Sequence, residues 1–335
     1  MVPLTPDLLV AGLVVLSLGY GFLNGYNDAG AVIVGMIAGR ALLPRQALVL
    51  AAVAELVGPF LFGVGVAATV ASGIVDPVAV DARVIAAAVL GSIVWGVGAS
   101  ALGMPNSLSH GLVGGMVGAA LSAHGLAAVQ VAGVAKVVVF LIVAPVLGLI
   151  LGFTGAEMLL YWLVQTRAHP DIVRSLKRLG IASAMAFAVG HGANNAQKSM
   201  GLIALAVWLP GRNGSPVVPP WAVAASAVCL AAGAALGGQK VIRTINARLY
   251  QLRTLHGLVA AATSAIVILG ATWGGLPISA TQVASMAVAG AGAADRPSKV
   301  RWGVIGDILA TWAVTIPGAA LIAAVLYQLL RGAGL

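Results

Sequence analysis

The sequence predicts an all-α integral membrane protein with an inverted-topology repeat, interrupted helices and two re-entrant hairpins. Three observations lead to this fold class: an apolar composition, two pairs of polar signatures in the same order, and basic loops that exchange places between the copies. Of 335 residues, 60% are hydrophobic and 8% are charged, and the mean hydropathy is +1.04. Apolar segments long enough to cross a bilayer recur along nearly the whole chain, which leaves no room for a large soluble domain.

The charged residues and the single cysteine exclude other classes. A net charge of +9 could suggest a nucleic-acid partner, but the basic residues fall in short loops between apolar segments, where they act as topology signals. The first 22 residues hold no lysine or arginine, so the apolar stretch from Leu8 is expected to remain as the first membrane helix rather than act as a signal peptide. Cys229 is alone, so an intramolecular disulfide is impossible.

Two polar signatures occur twice in the chain. LNGYNDAG, from Leu23, pairs with VGHGANNA, from Val189, and GMPNSLSHGLVGG, from Gly103, pairs with GLPISATQVASMA, from Gly275. Asparagine and proline are 78 residues apart in the first copy and 83 in the second, so order and spacing agree. The predicted parts are a first transmembrane repeat at 8–122, a connecting membrane segment and cytoplasmic loop at 123–180, a second inverted repeat at 181–293 and a terminal transmembrane helix at 294–335.

The loop charges orient the two copies. Four basic loops are predicted to be cytoplasmic: Arg40 to Arg45, Arg167 to Arg178, Lys240 to Arg253 and Asp295 to Arg301. Because basic and non-basic loops exchange places between the copies, equivalent loops face opposite sides and both termini lie outside. An odd number of crossings must connect the copies, and the apolar run from about Gly125 to Val164 can supply one long tilted helix or three shorter passes.

The signatures are expected to break the helices in two ways. The asparagine pairs interrupt helices that continue past them. The turns at Pro105 and Pro277 join a segment of about 20 residues to a glycine-rich one of about 12, which is too short to span alone and predicts a re-entrant hairpin.

Backbone N–H groups, half-helix N-termini and hydroxyls at membrane depth are typical of an anion site, and a tetrahedral oxyanion needs donors from several directions. The predicted anion-binding residues are Asn27, Asp28, Ser107, Ser109, Asn194, Asn195, Lys198, Ser279 and Thr281. Asp28 and Glu55 would repel a bare anion, so they predict a co-transported cation, either sodium or a proton, with Gln197 as a further cation ligand. No catalytic residue and no cofactor beyond this coupling ion are predicted.

Structural interpretations stand beside these functional ones. A serine in a membrane helix often bonds its own backbone one turn earlier, and Lys198 could extend towards the interface or a helix C-terminus. His110 and His191 are interpreted as packing or hydrogen-bonding groups rather than proton carriers. A passive anion channel would need no intramembrane carboxylates, and a membrane enzyme built on the two histidines would need a nucleophile and base that the sequence does not present. A cation-coupled symporter is the preferred function, and the chain is not expected to be an enzyme.

GYNDAG and HGANNAQKSMG resemble the paired Asn-Asp signatures of the inorganic phosphate transporter (PiT) family. GMPNSLSH and GLPISATQ resemble its two Pro-x-Ser-Thr-Thr-His turns, and the similarity extends across the chain, including Glu55 and the closing segment from Lys299 to Leu326. The resemblance implies a phosphate site at the repeat interface and import of inorganic phosphate across the cell membrane, driven by sodium or protons.

The chain also departs from that family's pattern. Asn195 replaces the second aspartate, and Ala261 stands where the family often has a glutamate, so the stoichiometry is expected to fall or the coupling ion to change. Loss of acidic groups could favour a permanently dianionic substrate, which makes sulfate the second choice after phosphate. The coupling ion, the affinity and the existence of a homodimer stay open at this stage.

Overall fold

The computed structural model describes residues 6–38, 41–102, 104, 106–165, 170–209, 213–237 and 253–334. The helices in these ranges are α1 (Pro6–Val32), α2 (Val34–Ile37), α3 (Pro44–Val57), α4 (Gly65–Ala68), α5 (Ala82–Ala101), α6 (Leu108–His124), α7 (Val131–Gln165), α8 (Pro170–Trp208), α9 (Pro220–Leu236), α10 (Thr254–Trp273), α11 (Ala280–Asp295) and α12 (Trp302–Gly332). The same ranges contain no β-strand, and one isolated bridge joins Val75 to Val129. The predicted all-α class is confirmed.

Several of these helices are long and apolar enough to cross a bilayer. By length and composition they are Asp7–Ile37, Ala82–Ala101, Val131–Gln165, Thr254–Trp273 and Ile305–Gly332. A sixth span results if Pro44–Phe60 and Gly65–Gly73, which meet at a bend of 71°, count as one crossing. The chain is therefore a multi-pass membrane protein.

A single helix connects the two copies. Helix α7 has 35 residues and continues through Pro145, so the connection is one long helix rather than three shorter passes. At 1.5 Å per residue it extends about 52 Å, well beyond a hydrocarbon thickness of about 30 Å.

The helices that follow the two turns are short. Helices α6 and α11 have 17 and 16 residues, longer than the 12 or so expected, yet only about 25 Å in length. Ser107 and Ser279 are their N-cap residues, and the Ser107 hydroxyl accepts a hydrogen bond from the His110 backbone N–H at 3.3 Å. Gly275 in the second turn has a φ of +67°, a conformation that favours glycine. In the first turn, Gly103 and Pro105 lie outside the described residues.

The prediction that the asparagine pairs interrupt their helices is wrong. Helix α8 runs unbroken for 39 residues through Asn194 and Asn195, and α1 runs through Asn27 and ends only at Val32. The middle of α8, residues 190–206, is buried throughout, and Asn194 and Lys198 bond backbone groups of the second turn rather than freed groups of their own helix. The break between longer helices instead follows α3, where a 71° bend separates it from α4.

Apolar contacts flank the polar part of α8 on both sides. Phe187 belongs to one cluster of buried residues, which includes parts of α1, α3, α10 and α11. Leu202 and Leu205 belong to a second cluster, formed with α5, α6 and the ends of α7 and α12. Residues 191–199 lie along α8 between these two apolar clusters.

The two predicted copies pack on one another in matching ways. Helix α1 lies against α9 and helix α8 lies against α3, while α6 packs on α12 and α11 packs on α7. At the first crossing Gly233 faces the carbonyl oxygen of Phe22, and at the second Gly58 faces that of Val189. Phe22 and Val189 each precede the asparagine of their signature by five residues. The first helix of each copy therefore contacts the next helix of the other copy through the same glycine contact.

These crossings should tolerate no added methyl group. A Cβ at Gly233 would overlap the carbonyl oxygen of Phe22, whereas a Cβ at Gly19 on the exposed side of α1 meets nothing within 4 Å. We expect Gly233→Ala to destabilise the protein by about 1–3 kcal/mol, because the backbones of α1 and α9 must move apart. Gly19→Ala is the matched control, expected to be neutral or stabilising by up to about 1 kcal/mol. Thermal unfolding in detergent measures both, and equal melting temperatures would contradict the close crossing.

Candidate functional site

Polar side chains from several helices meet beside the middle of α8. We call them the central polar cluster, and they are Asp28, Glu55, Ser107, Ser109, His110, His191, Asn194, Asn195, Lys198, Ser279, Thr281 and Gln282. In α8 itself, His191, Asn194, Asn195 and Lys198 are at most 1% exposed. A buried polar group without a partner costs roughly 2–7 kcal/mol in an apolar environment, so each of these contacts matters for stability.

Asn194 is bonded to the second turn. Its amide nitrogen donates to Thr272 Oγ1 and to the Leu276 carbonyl oxygen, both at 3.0 Å. Its amide oxygen accepts from the Ile278 backbone N–H at 3.3 Å. Asn194 therefore fixes the backbone of the turn that leads into α11.

Lys198 joins the start of α6 and the second turn to α8. Its ammonium donates to Ser109 Oγ at 2.6 Å, to the Ile278 carbonyl oxygen at 2.8 Å and to Asn195 Oδ1. A lysine ammonium has three donors, and three acceptors surround this one. All three acceptors are neutral oxygens.

The two turn serines touch each other. Ser107 Oγ lies 2.9 Å from Ser279 Oγ, and Ser279 in turn lies 3.2 Å from the Thr281 hydroxyl. His110 Nδ1 is 3.0 Å from Ser107 Oγ and 3.2 Å from the amide nitrogen of Gln282. The N-termini of α6 and α11 therefore meet close to the Lys198 ammonium. Because helix N-termini carry partial positive charge, this convergence favours an anion.

His191, two turns before Lys198 on the same face of α8, bridges two carboxylates. Its Nε2 lies 3.2 Å from Asp28 Oδ2, and its Nδ1 lies 2.9 Å from Glu55 Oε1 in an ion-pair contact rather than an aligned hydrogen bond. Glu55 is fully buried, and the Asp28 side chain is 14% exposed. Asn195 links Asp28 to the lysine, since its amide nitrogen is 3.5 Å from Asp28 Oδ2. Sequence reasoning assigned His191 to packing or hydrogen bonding and missed this bridge.

Two of the predicted site residues lie at the edge of the cluster or away from it. Gln197 Oε1 accepts from the backbone N–H groups of Val66 at 2.7 Å and Ala67 at 3.3 Å, so it caps α4. Asn27 is half-buried on α1, one residue before Asp28. The other predicted anion and cation residues all belong to the central polar cluster, and His110, His191 and Gln282 are members that the predicted site did not include.

The packing also identifies the second-copy counterpart of Glu55. Gly192 faces the backbone carbonyl of Glu55, and Gly25 faces that of Leu230. Both glycines precede the asparagine of their signature by two residues. Leu230 on α9 therefore occupies the place of Glu55, and the carboxylate pair exists in one copy only.

Comparisons with known proteins agree over nearly the whole chain. The family model "Phosphate transporter family" matches residues 24–323. A relative from Rhizobium meliloti named "Probable low-affinity inorganic phosphate transporter" is 36% identical over 320 residues, covering 95% of this chain and 96% of the relative. A relative of the same name from Mycobacterium tuberculosis is 40% identical over 325 residues, covering 96% of this chain and 78% of the relative.

One solved structure has the same fold. It is titled "The sodium-dependent phosphate transporter", and it superposes with a TM-score of 0.85 at 23% identity, covering 96% of this chain and 99% of the other. Because the family model spans both signatures and both turns, the chain belongs to the phosphate transporter family.

Proposed function

We propose that this protein imports inorganic phosphate across the cell membrane by symport with a cation, either sodium or a proton. The observation that carries the proposal is the position of a carboxylate–histidine–carboxylate bridge beside two helix N-termini and a buried lysine. One side of the cluster suits an anion and the other suits a cation. Relatives named as phosphate transporters and a neighbour whose title states sodium dependence support the same reaction.

The anion half of the proposed site uses the donors at the meeting of the turns. Its residues are Asn27, Ser107, Ser109, Asn194, Asn195, Ser279 and Thr281, with Lys198 as a nearby positive charge and Asp28 beside the bound cation. The hydroxyls of Ser107 and Ser279 bond each other and can rotate towards a bound oxyanion without backbone movement. A tetrahedral phosphate accepts hydrogen bonds from several directions, which two facing helix N-termini supply.

The cation half uses Asp28 and Glu55, with Gln197 supporting the adjacent helix α4. Phosphate held near the Asp28 carboxylate experiences repulsion, and a cation between the two offsets it. Because the cation attracts both groups, each bound ion strengthens the binding of the other, and this mutual gain in affinity is the physical basis of coupling. His191 contacts both carboxylates, so a proton held at this bridge is an alternative to sodium.

The inverted repeat is part of the same proposal, with copies at 8–122 and 181–293, a link at 123–180 and a closing helix in 294–335. The reciprocal glycine crossings and the single connecting helix α7 support it. So does the contact of Ser107 with Ser279, because equivalent residues touch only near a pseudo-twofold axis.

The four basic loops are then cytoplasmic and both termini lie outside. Cysteine labelling from outside that reached any two of these loops would contradict the inversion.

Neutralising the carboxylates should abolish accumulation. Asp28→Asn or Glu55→Gln removes charge from the cation half, so a gradient can no longer drive phosphate uphill. We expect proteoliposomes with the native chain to accumulate labelled phosphate under an imposed sodium or proton gradient, and proteoliposomes with either variant only to equilibrate it. Asp171→Asn is the matched control, because the Asp171 side chain is 72% exposed at the start of α8.

Three outcomes would overturn parts of this proposal. Accumulation by the doubly neutralised protein would place the cation site elsewhere. Equilibration without accumulation by the native chain, under both gradients, would indicate a passive channel. Preferential accumulation of labelled sulfate would replace phosphate as the substrate.

Removing donors at the turns should weaken phosphate binding. Hydrogen bonds to a charged group contribute about 1.5–3 kcal/mol, and 1.4 kcal/mol is a factor of ten, so we expect Ser107→Ala and Ser279→Ala each to lower affinity by roughly tenfold to a hundredfold. Asn194→Ala should lower it to a similar extent, because it releases the turn that positions Ser279. Ser226→Ala is the matched control: its buried hydroxyl on α9 has no hydrogen-bond partner among the described residues. Phosphate titration of the purified protein measures all four, and unchanged affinity in the three test variants would rule out the anion site.

A further inference from the structure

The ammonium group of Lys198 has surroundings that resemble a cation site. Its partners are the Ser109 hydroxyl, the Ile278 backbone carbonyl and the Asn195 amide oxygen, and the side chain is 1% exposed. Hydroxyl, carbonyl and amide oxygens are the ligands that hard cations take in proteins, and transporters coordinate sodium with unwound backbone carbonyls. The ammonium therefore occupies a place in which a small free cation would also be coordinated.

Matching the two copies residue by residue identifies the copy-one counterparts of Lys198 and of its three ligands. Lys198 follows Asn194 by four residues, and Ala31 follows Asn27 by four. By distance from the turn serine, Ser109 corresponds to Thr281, and the carbonyl of Ile278 corresponds to that of Asn106. By its place after the asparagine, Asn195 corresponds to Asp28. By this correspondence, the copy-one set consists of a carboxylate, a hydroxyl and a carbonyl, and the buried Ala31 stands where copy two has the lysine.

The two sets of residues also differ in charge. The copy-one set contains the negative Asp28, which His191 contacts at 3.2 Å, and it contains no lysine, so it can take up an external cation. The copy-two set contains neutral Asn195 at the corresponding position and the positive Lys198. Because Asn195 stands where copy one has Asp28, copy two lacks the negative charge that would attract a free cation.

Direct bonding of Lys198 to phosphate fits the geometry less well. All three ammonium donors already have protein acceptors, so a bound anion would have to displace one of them. The lysine can attract the anion through its charge while its hydrogen bonds stay within the protein.

We propose that Lys198 is a tethered cation that permanently fills the copy-two counterpart of the coupling-cation site. Only the copy-one site, beside Asp28, then takes up a free cation in each transport cycle. This proposal rests on the symport proposed above and sets its stoichiometry: the transporter binds one cation fewer per phosphate than the same architecture would with both sites open.

The test opens the copy-two site and follows sodium. Lys198→Ala combined with Asn195→Asp removes the ammonium and restores the carboxylate. We expect phosphate affinity at low sodium to fall by at least about tenfold and to recover at high sodium, because one more ion must bind with the anion. In a plot of log affinity against log sodium at fixed pH, the slope should rise by about one over that of the native chain, whichever ion serves copy one.

Two further variants are controls for the opened site. Lys198→Met fills the same space with an apolar group, and its phosphate affinity should stay low at every sodium concentration. Asn195→Asp alone keeps the ammonium in place, so its sodium slope should equal that of the native chain. An unchanged slope in the double variant, or a raised slope in Asn195→Asp alone, would overturn the proposal.

A readout that needs no phosphate distinguishes failure of this proposal from failure of the symport. Sodium should raise the melting temperature of the Lys198→Ala/Asn195→Asp protein by more than it raises that of the native chain, since an added ion site stabilises the folded state. Equal sodium effects on the two proteins would show that the opened site binds no ion, even if the native chain transports phosphate. Failure of the native chain to accumulate phosphate would count against the symport alone.

Discussion

Polar groups at membrane depth find no water, so each must bond to protein, and this constraint shapes the middle of α8. The segment 191–199 carries a histidine, two asparagines, a glutamine and a lysine within an apolar chain. The structure meets most of this constraint by surrounding α8 with other helices rather than by breaking it, and it leaves the Gln197 amide nitrogen and the Ser199 hydroxyl without a hydrogen bond among the described residues. Asn194 binds the second turn, Lys198 binds both turns, and His191 contacts Asp28 and Glu55. The same contacts that make α8 tolerable in a membrane bring both halves of the chain to one place.

The result is a site with opposite electrostatic character on its two sides. Helix N-termini and the lysine make one side positive, while two carboxylates make the other negative. In the proposed symport, an anion and a cation bind next to each other on these two sides, and each raises the affinity for the other. The two copies contribute unequally: copy one keeps Asp28 and Glu55, whereas copy two has Asn195 and Leu230 in their places and adds Lys198. In the proposed repeat, the two halves therefore contribute different chemistry to the site.

Sequence reasoning predicted the membrane class and brought most of the site residues together, because hydropathy and paired signatures are local features of a chain. It placed helix breaks at the asparagine pairs, which is wrong, since polarity alone does not distinguish an interrupted helix from an intact one enclosed by protein. The bridge through His191 depends on α1 and α3 lying beside α8, which no local pattern encodes. By packing, the counterpart of Glu55 is Leu230, which motif comparison did not identify, because loop lengths differ between the copies and hide the register of α9.

The central claim is that equivalent turns of the two halves meet around an anion, and a cross-link between them tests it most directly. Cys229 is the single native cysteine, so Ser107→Cys and Ser279→Cys can be combined with Cys229→Ala to leave only the two test thiols. With their oxygens 2.9 Å apart in the native chain, the two positions should form a disulfide under mild oxidation, and phosphate should slow its formation. Absence of the disulfide in folded protein would contradict the meeting of the turns, and formation at the same rate with and without saturating phosphate would contradict an anion site between them.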